Sequence, residues 1–251
     1  MHKLSALGSL AVVVAVLFVL PLEGTPARYI MVTEEWAPFR MNDPGTPSGF
    51  SGIDIDLTVK LQAVLGSPIE IQRRPWGRAL EMMKTGQADL ITGIAHDADR
   101  TQYIAYVPTS YDSVKPVFVT QSGHGAQVRT YADLAGKTIG YALLSVYFEP
   151  FNSDKSLKKV GLTSEAQVLK VVSLGRVDVA IGTDPNISWD IAKGGYRKVL
   201  EKTSYQPPDR TELFVGISKK SPLLARINEI DAALRRMLAD GTIDAILGKY
   251  R

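Results

Sequence analysis

Hydrophobic positions divide this chain into one amino-terminal run and two stretches that repeat the same pattern. The run extends almost unbroken from Leu4 to Leu22, follows Lys3 and contains no acidic residue. Leading into the small residues of Gly24 Thr25 Pro26 Ala27, it reads as an export signal cut near Ala27, so residues 1–27 are taken as a signal peptide. An uncleaved anchor is the alternative, because a membrane span needs about 20 apolar residues. Nothing later in the sequence has the pattern of a membrane span.

The repeated pattern is a helix stopped by glycine, a spacer with aspartate, then a strand-like apolar run. It occurs as Ala79 to Gly86, Asp89 and Leu90 Ile91 Thr92 Gly93, and again as Glu165 to Gly175, Asp178 and Val179 Ala180 Ile181 Gly182. In each copy glycine supplies the left-handed residue that ends a helix, and the apolar run after it enters a sheet. Ser164 with Gln167 three residues on reads as a capping box for the second helix. A further helix carries Leu57, Leu61, Val64 and Leu65 at helical spacing, with Asp54 read as its cap and Gly66 as its stop. Ser221 and Pro222 open another through Ile227, Ile230, Leu234, Met237 and Leu238; Gly241 stops it and Thr242 restarts a shorter one. Strands are expected at Tyr29 to Val32, Ile69 to Gln72, Val114 to Thr120, Thr138 to Tyr141 and Leu213 to Ile217. Strands alternating with helices predict an α/β chain with mostly parallel sheets, and the duplicated pattern favours two lobes over one sheet. The extended stretches at Val114 to Thr120 and Tyr205 to Pro208 read as paired crossings. They place lobe one at 28–113 plus 206–251 and lobe two at 114–205.

Composition narrows the function. The 251 residues include no cysteine, which removes disulfides, thiolate metal sites and a lipid-modified cysteine after the signal. The net charge of +3 is spread without a basic block, so nucleic acid is excluded as a partner. His2, His96 and His124 are too dispersed for a metal site. No Gly-x-Ser-x-Gly elbow, His-Glu-x-x-His pair or phosphate loop is present, so no catalytic residue and no cofactor are expected. Asp54 and Asp56 resemble a carboxylate pair, but their place at a helix start favours capping and dipole pairing.

Ligands of open α/β sheets gather beyond the carboxy ends of the strands, which directs attention to the loops after Ile91 and Ile181. The first reads Gly93 Ile94 Ala95 His96 Asp97 Ala98 Asp99 Arg100, the second Gly182 Thr183 Asp184 Pro185 Asn186. Arg100 has the chemistry to grip a carboxylate through a two-pronged hydrogen bond worth roughly 1.5 to 3 kcal/mol.

These segments carry a family resemblance. Trp36 Ala37 Pro38 Phe39, Gly52 to Leu57, Gly86 to Asp89, Arg100 with Tyr111, Asp133 to Lys137, Gly175 to Asp178 and Asp240 Gly241 Thr242 follow one another through nearly the whole mature chain. In that order they resemble the bacterial extracellular solute-binding proteins of family 3, the polar amino acid receptors of ABC importers. Pro75 Trp76 Gly77 Arg78 Ala79 resembles a less characterised branch of that family. The resemblance implies a two-lobed periplasmic-binding-protein fold of type II, joined by two hinge strands. It further implies a monomer in the periplasm that delivers a small polar solute, an amino acid or a related carboxylate without the α-amino group, to a membrane permease and catalyses nothing. The implied ligand-binding residues are Arg100 on the ligand carboxylate, Trp36 and Trp76 as walls, Ala95 in the first loop, Ser145 in the lobe-two turn, and Thr183 or Asp184 where the family holds the ligand ammonium. The family's carboxylate aligns with Thr183 while the acid here is Asp184, and His96 and Asp97 replace the usual small hydroxyl residues. A sensor for a membrane signalling protein and a dehydratase-like enzyme are the alternatives on this fold; for the enzyme, Glu149 is the acidic residue to test.

Overall fold

The computed structural model describes residues 28–250, so the apolar run read as a signal lies outside the described residues. The chain starts in lobe one with β1 (Tyr29–Thr33) and a small hairpin of β2 (Met41–Asn42) and β3 (Phe50–Ser51). Next come α1 (Ile53–Leu65), β4 (Ile69–Arg73), α2 (Trp76–Thr85), β5 (Leu90–Ile94) and β6 (Ile104–Tyr106). A long strand, β7 (Asp112–Gln121), then carries the chain into lobe two. There it forms β8 (Thr138–Ala142), β9 (Lys158–Leu162), α3 (Glu165–Ser173), β10 (Val179–Asp184), α4 (Asn186–Lys193) and β11 (Leu200–Lys202). The chain returns on β12 (Thr211–Ser218) and ends with α5 (Ile227–Ala239) and α6 (Thr242–Gly248).

The expected parallel pairing forms the centre of each lobe. In lobe one β1 lies between β4 and β5, and in lobe two β8 lies between β9 and β10, all parallel. The crossing strands join antiparallel instead: β12 to β5 and β6, β7 to β10 and β11. The reason is geometric, since a chain that leaves a lobe on one strand and comes back beside it must reverse direction. The two crossings pair with each other only at Asp112 to Val114 and Thr211 to Leu213. The return crossing therefore begins a few residues beyond the Tyr205 to Pro208 stretch.

Period-two alternation covers both sheet faces with apolar side chains. In lobe two Val117, Val119 and Ala180 pack with Val168, Leu169 and Val172 of α3, while Phe118, Val179 and Ile181 face Phe148 and Phe151. In lobe one Met31, Leu90 and Ile217 meet Leu57 and Leu61 of α1 and Leu234 and Ile246 of the last two helices. The opposite face places Val32, Ile91 and Ile94 against Ala79 and Met83 of α2.

Helix ends follow the sequence with three differences. Gly66 and Gly86 end α1 and α2 in the left-handed conformation. Gly52, not Asp54, precedes α1; its φ is 127°, and a Cβ there would lie 2.4 Å from the Phe39 carbonyl oxygen. Asp54 caps nothing and is instead wholly buried. The Ser164 hydroxyl accepts from the Gln167 N–H, while the Gln167 side chain takes the N–H of Thr163, so only half of the capping box forms. Pro222 opens a tight turn through Arg226, and regular helix begins at Ile227.

Candidate ligand-binding cleft

The carboxy ends of β1, β5, β8 and β10 face one another across the gap between the lobes, and the loops beyond them enclose a cavity of about 620 Å³, mouth included. Lobe one contributes Trp36, Trp76 and Arg100 with the backbone at Gly93 and Ala95; lobe two contributes Ser145, Tyr147, Glu165 and Thr183. Six of the seven residues expected at the site therefore lie together. The seventh, Asp184, is not among the lining residues. Successive strand residues face opposite ways, so Thr183 turns to the cavity while Asp184 accepts from the backbone and hydroxyl of Ser188 and pairs with Lys202. His96, Asp97 and Glu149 line a neighbouring depression, where Glu149 accepts from Ser153.

Arg100 is buried with its guanidinium over Trp76, 5.5 Å from the ring centre. Its Nη1 donates to the Ala95 carbonyl at 3.2 Å and its Nη2 to the Leu144 carbonyl of lobe two. The Trp76 indole N–H donates to the same carbonyl at 3.2 Å. Leu144 can offer it because its φ is 62°, a left-handed conformation uncommon for a residue with a Cβ. The two lobes are thus tied across the cleft by donors from one and a main-chain oxygen from the other.

Trp36 forms the second wall. It stacks on Phe39 at 4.4 Å and lies 4.9 Å from the Arg40 guanidinium carbon. Arg40 donates to Asp54 and to the Thr92 carbonyl, while Thr92 and Tyr111 donate their hydroxyls to Asp54 at 2.9 and 2.6 Å. Burial raises the Asp54 pKa, against the pull of Arg40 and these bonds, and pushes the Tyr111 hydroxyl well above its usual range. Gly93 is required here: its φ is +64°, and a Cβ would stand 2.4 Å from Arg40 Nη1 and 3.3 Å from the Trp36 ring.

The acidic groups of the cleft are Glu34 and Glu35 after β1, Glu165 at the start of α3, and Asp190 on α4. Glu165 accepts from the Trp36 indole at 2.9 Å and lies 3.4 Å from the Thr183 hydroxyl. Burial pushes its pKa up to about 8, with Asp190 and Glu34 adding repulsion and the Trp36 bond opposing. Burial likewise raises Glu34 to about 7, against Arg40, and Asp190 to about 6, with Glu35 adding. The sequence reading passed over Glu34, Glu35, Arg40 and Glu165. The one available signal was the doublet Glu34 Glu35 directly before Trp36. An acid at a helix start, such as Glu165, ordinarily reads as a dipole partner.

Two α/β lobes on paired crossing strands, closing over a polar cavity with aromatic walls, define a two-lobed solute-binding protein. The family model of bacterial extracellular solute-binding proteins, family 3, matches residues 29–251, and the chain belongs to that family. It is similar to the amino-acid-binding protein AabA of Dichelobacter nodosus, 25% identical over 84% of this chain and 81% of that protein. Among solved structures it is similar to an ancestral arginine-binding protein bound to arginine, with a TM-score of 0.77, 20% identity, and coverage of 90% of this chain and 99% of the other. A histidine kinase sensor domain shares the fold at a TM-score of 0.77 and 16% identity, over 90% of this chain and 96% of that one.

Proposed function

We propose that the protein captures an amino acid in the periplasm and presents it to the permease of an ABC importer, without catalysing a reaction. The observation that carries this reading is the meeting of Arg100 and Glu165 across one cavity, between the Trp36 and Trp76 walls and beside the hydroxyls of Ser145 and Thr183. A zwitterion needs a fixed cation and a fixed anion a few ångströms apart, with apolar surface between. Arg100 offers the carboxylate a planar pair of donors in a site shielded from water, where charge-assisted bonds are strongest. Glu165 beside Thr183 offers the ammonium an acceptor. The family membership and the similarity to a protein named for amino acid binding support the assignment.

The dehydratase-like reading gains one observation, because a carboxyl raised to about 8 could act as an acid at neutral pH. The Trp36 indole donates to that carboxylate and pulls against the rise, and a ligand ammonium beside it would favour the ionised form further, which suits an acceptor.

The test is calorimetric titration with a panel of amino acids, on the wild type and on Arg100→Ala. Loss of the guanidinium should weaken binding by at least about tenfold, or about 1.4 kcal/mol. Arg100→Lys should recover only part, since a point charge cannot reproduce the planar fork. Equal affinity of wild type and Arg100→Ala would overturn the carboxylate assignment.

A further inference from the structure

Behind Trp36 the cleft continues into a second, larger chamber that the amino acid backbone does not fill. Trp36 stands between the two spaces and, with Glu34, Glu35 and Glu165, lines both. Asp190 and Asn186 of α4 line only the second, together with Arg73 and Arg74.

The charges there do not balance. Glu35 pairs with Arg73 at 2.8 Å on an exposed rim, which accounts for one acid and one base. Arg74 is exposed and donates to the Arg73 carbonyl and the Gln72 side chain. Glu34, Glu165 and Asp190 are half-buried, and no lysine or arginine among the described residues forms an ion pair with any of them. Three carboxylates, one from lobe one and two from lobe two, therefore line one hollow without an ion-pair partner among the described residues; Arg40 acts on Glu34 through its charge alone, and Arg74 is exposed and bonded to its own strand.

A second observation concerns hydrogen bonding. Asn186 is 1% exposed, and its Oδ1 has no hydrogen-bond partner, the one such buried side-chain atom among the described residues. Buried acceptors are nearly always satisfied, so an unpaired one beside a cavity calls for a donor from outside the chain, such as a water, an ion or a ligand. The acids are not drawn together as they would be around a metal ion: no group of three or more His, Cys, Asp or Glu among the described residues is arranged to hold one. A chamber this large, with spread carboxylates and a neutral acceptor, suits an extended organic cation whose several N–H groups point in different directions.

We propose that this chamber binds a guanidinium or ammonium at the far end of the ligand, so that the solute is a basic amino acid. The proposal rests on the amino acid reading above, with the ligand carboxylate at Arg100 and its side chain passing Trp36 toward Glu34 and Asp190. Closure of the lobes brings acids from both sides onto that cation. Without it, the same closure takes these acids out of water: burial is the main cause that raises Glu165, Glu34 and Asp190, with acidic neighbours adding at Glu165 and Asp190.

Three probes separate the two ends of the ligand in calorimetric titrations at pH 8. L-Arginine carries both charges, L-citrulline has similar length with a neutral urea, and agmatine keeps the guanidinium but lacks the carboxylate. Arginine should bind at least about tenfold tighter than citrulline, the scale of one charge-assisted contact. Glu34→Gln with Asp190→Asn should shrink that ratio to about threefold or less, while citrulline affinity stays within about threefold of wild type. Equal binding of arginine and citrulline to the wild type, or a ratio unchanged in the double variant, overturns the proposal. If the double variant fails to fold, the wild-type ratio decides alone. Agmatine binding without any amino acid binding would remove the carboxylate reading and leave the cation chamber standing; citrulline binding as tightly as arginine would do the reverse. Binding of none of the probes overturns both.

Discussion

Replacing Asp54 by asparagine should destabilise the ligand-free protein far more than loss of a helix cap. Asp54 is fully buried, its counter-ion Arg40 is 3% exposed, and the pair lies beneath the Trp36 wall. Asparagine preserves the shape but leaves the Arg40 guanidinium without an anion, a defect of about 3 to 5 kcal/mol. A capping role would predict about 0.5 to 2 kcal/mol. For a chain of this size, with roughly 2 to 4 °C per kcal/mol, the expected fall in Tm is about 6 to 20 °C. The mirror variant Arg40→Met leaves the acid unpaired, yet Asp54 can take up a proton, because burial already raises its pKa. A group whose folded pKa is raised contributes stability at low pH that is lost as pH climbs. Arg40→Met should therefore be milder at pH 5 than at pH 8. Urea unfolding at both pH values, followed by circular dichroism, reads these differences. A loss below about 2 kcal/mol for Asp54→Asn, or a pH-independent penalty for Arg40→Met, would refute the buried-pair account.

Gly93→Ala should disrupt the same region, because its Cβ would meet Arg40 at 2.4 Å with φ at +64°; a variant with wild-type Tm and ligand affinity would contradict this. Binding of a basic amino acid should tighten between pH 6 and 8, since burial raises Asp190, Glu34 and Glu165 to about 6, 7 and 8 and a bound cation favours their ionised forms. Titration in two buffers of different ionisation enthalpy should register proton release, and its absence would count against the acid cluster. Small-angle scattering should show a smaller radius of gyration with ligand, as expected for lobes joined by two strands; an unchanged radius at saturation would argue against hinge closure.

What the sequence disclosed, and what it hid, divides along physical lines. Strong local signals were legible: the apolar runs of β1, β4, β7, β8 and β12, the glycine stops at Gly66 and Gly86, and the polar loops after Ile91 and Ile181 all appear where their patterns place them. Short edge strands such as β9, with Lys158 and Lys159 at its start, and β11, Leu200–Lys202, carry too few apolar residues to announce themselves. In the site, loop position pointed to Arg100 and Thr183, whereas the partnership of Glu165 with Trp36 spans 129 residues and leaves no local trace. Asp54 shows the limit best. An acid in the first turn of a helix predicts capping from its neighbours alone, and only the arrival of Arg40, Thr92 and Tyr111 from three other segments converts it into a core ion pair.

Leu144 joins the lobes through its main chain alone, since it is the carbonyl that receives Arg100 and Trp76 while the side chain stays 58% exposed. Side-chain substitution at this position therefore leaves the tie's acceptor in place, and comparison of side chains among relatives would pass over it. The same property makes position 144 a natural place for a reporter. The chain has no cysteine, so Leu144→Cys would supply its single thiol, and a fluorophore attached there would sit on the rim of the cleft beside Gly77 and signal opening and closing. A contact that evolution can hardly see from the side chain is, for that reason, one that spectroscopy can watch with little disturbance.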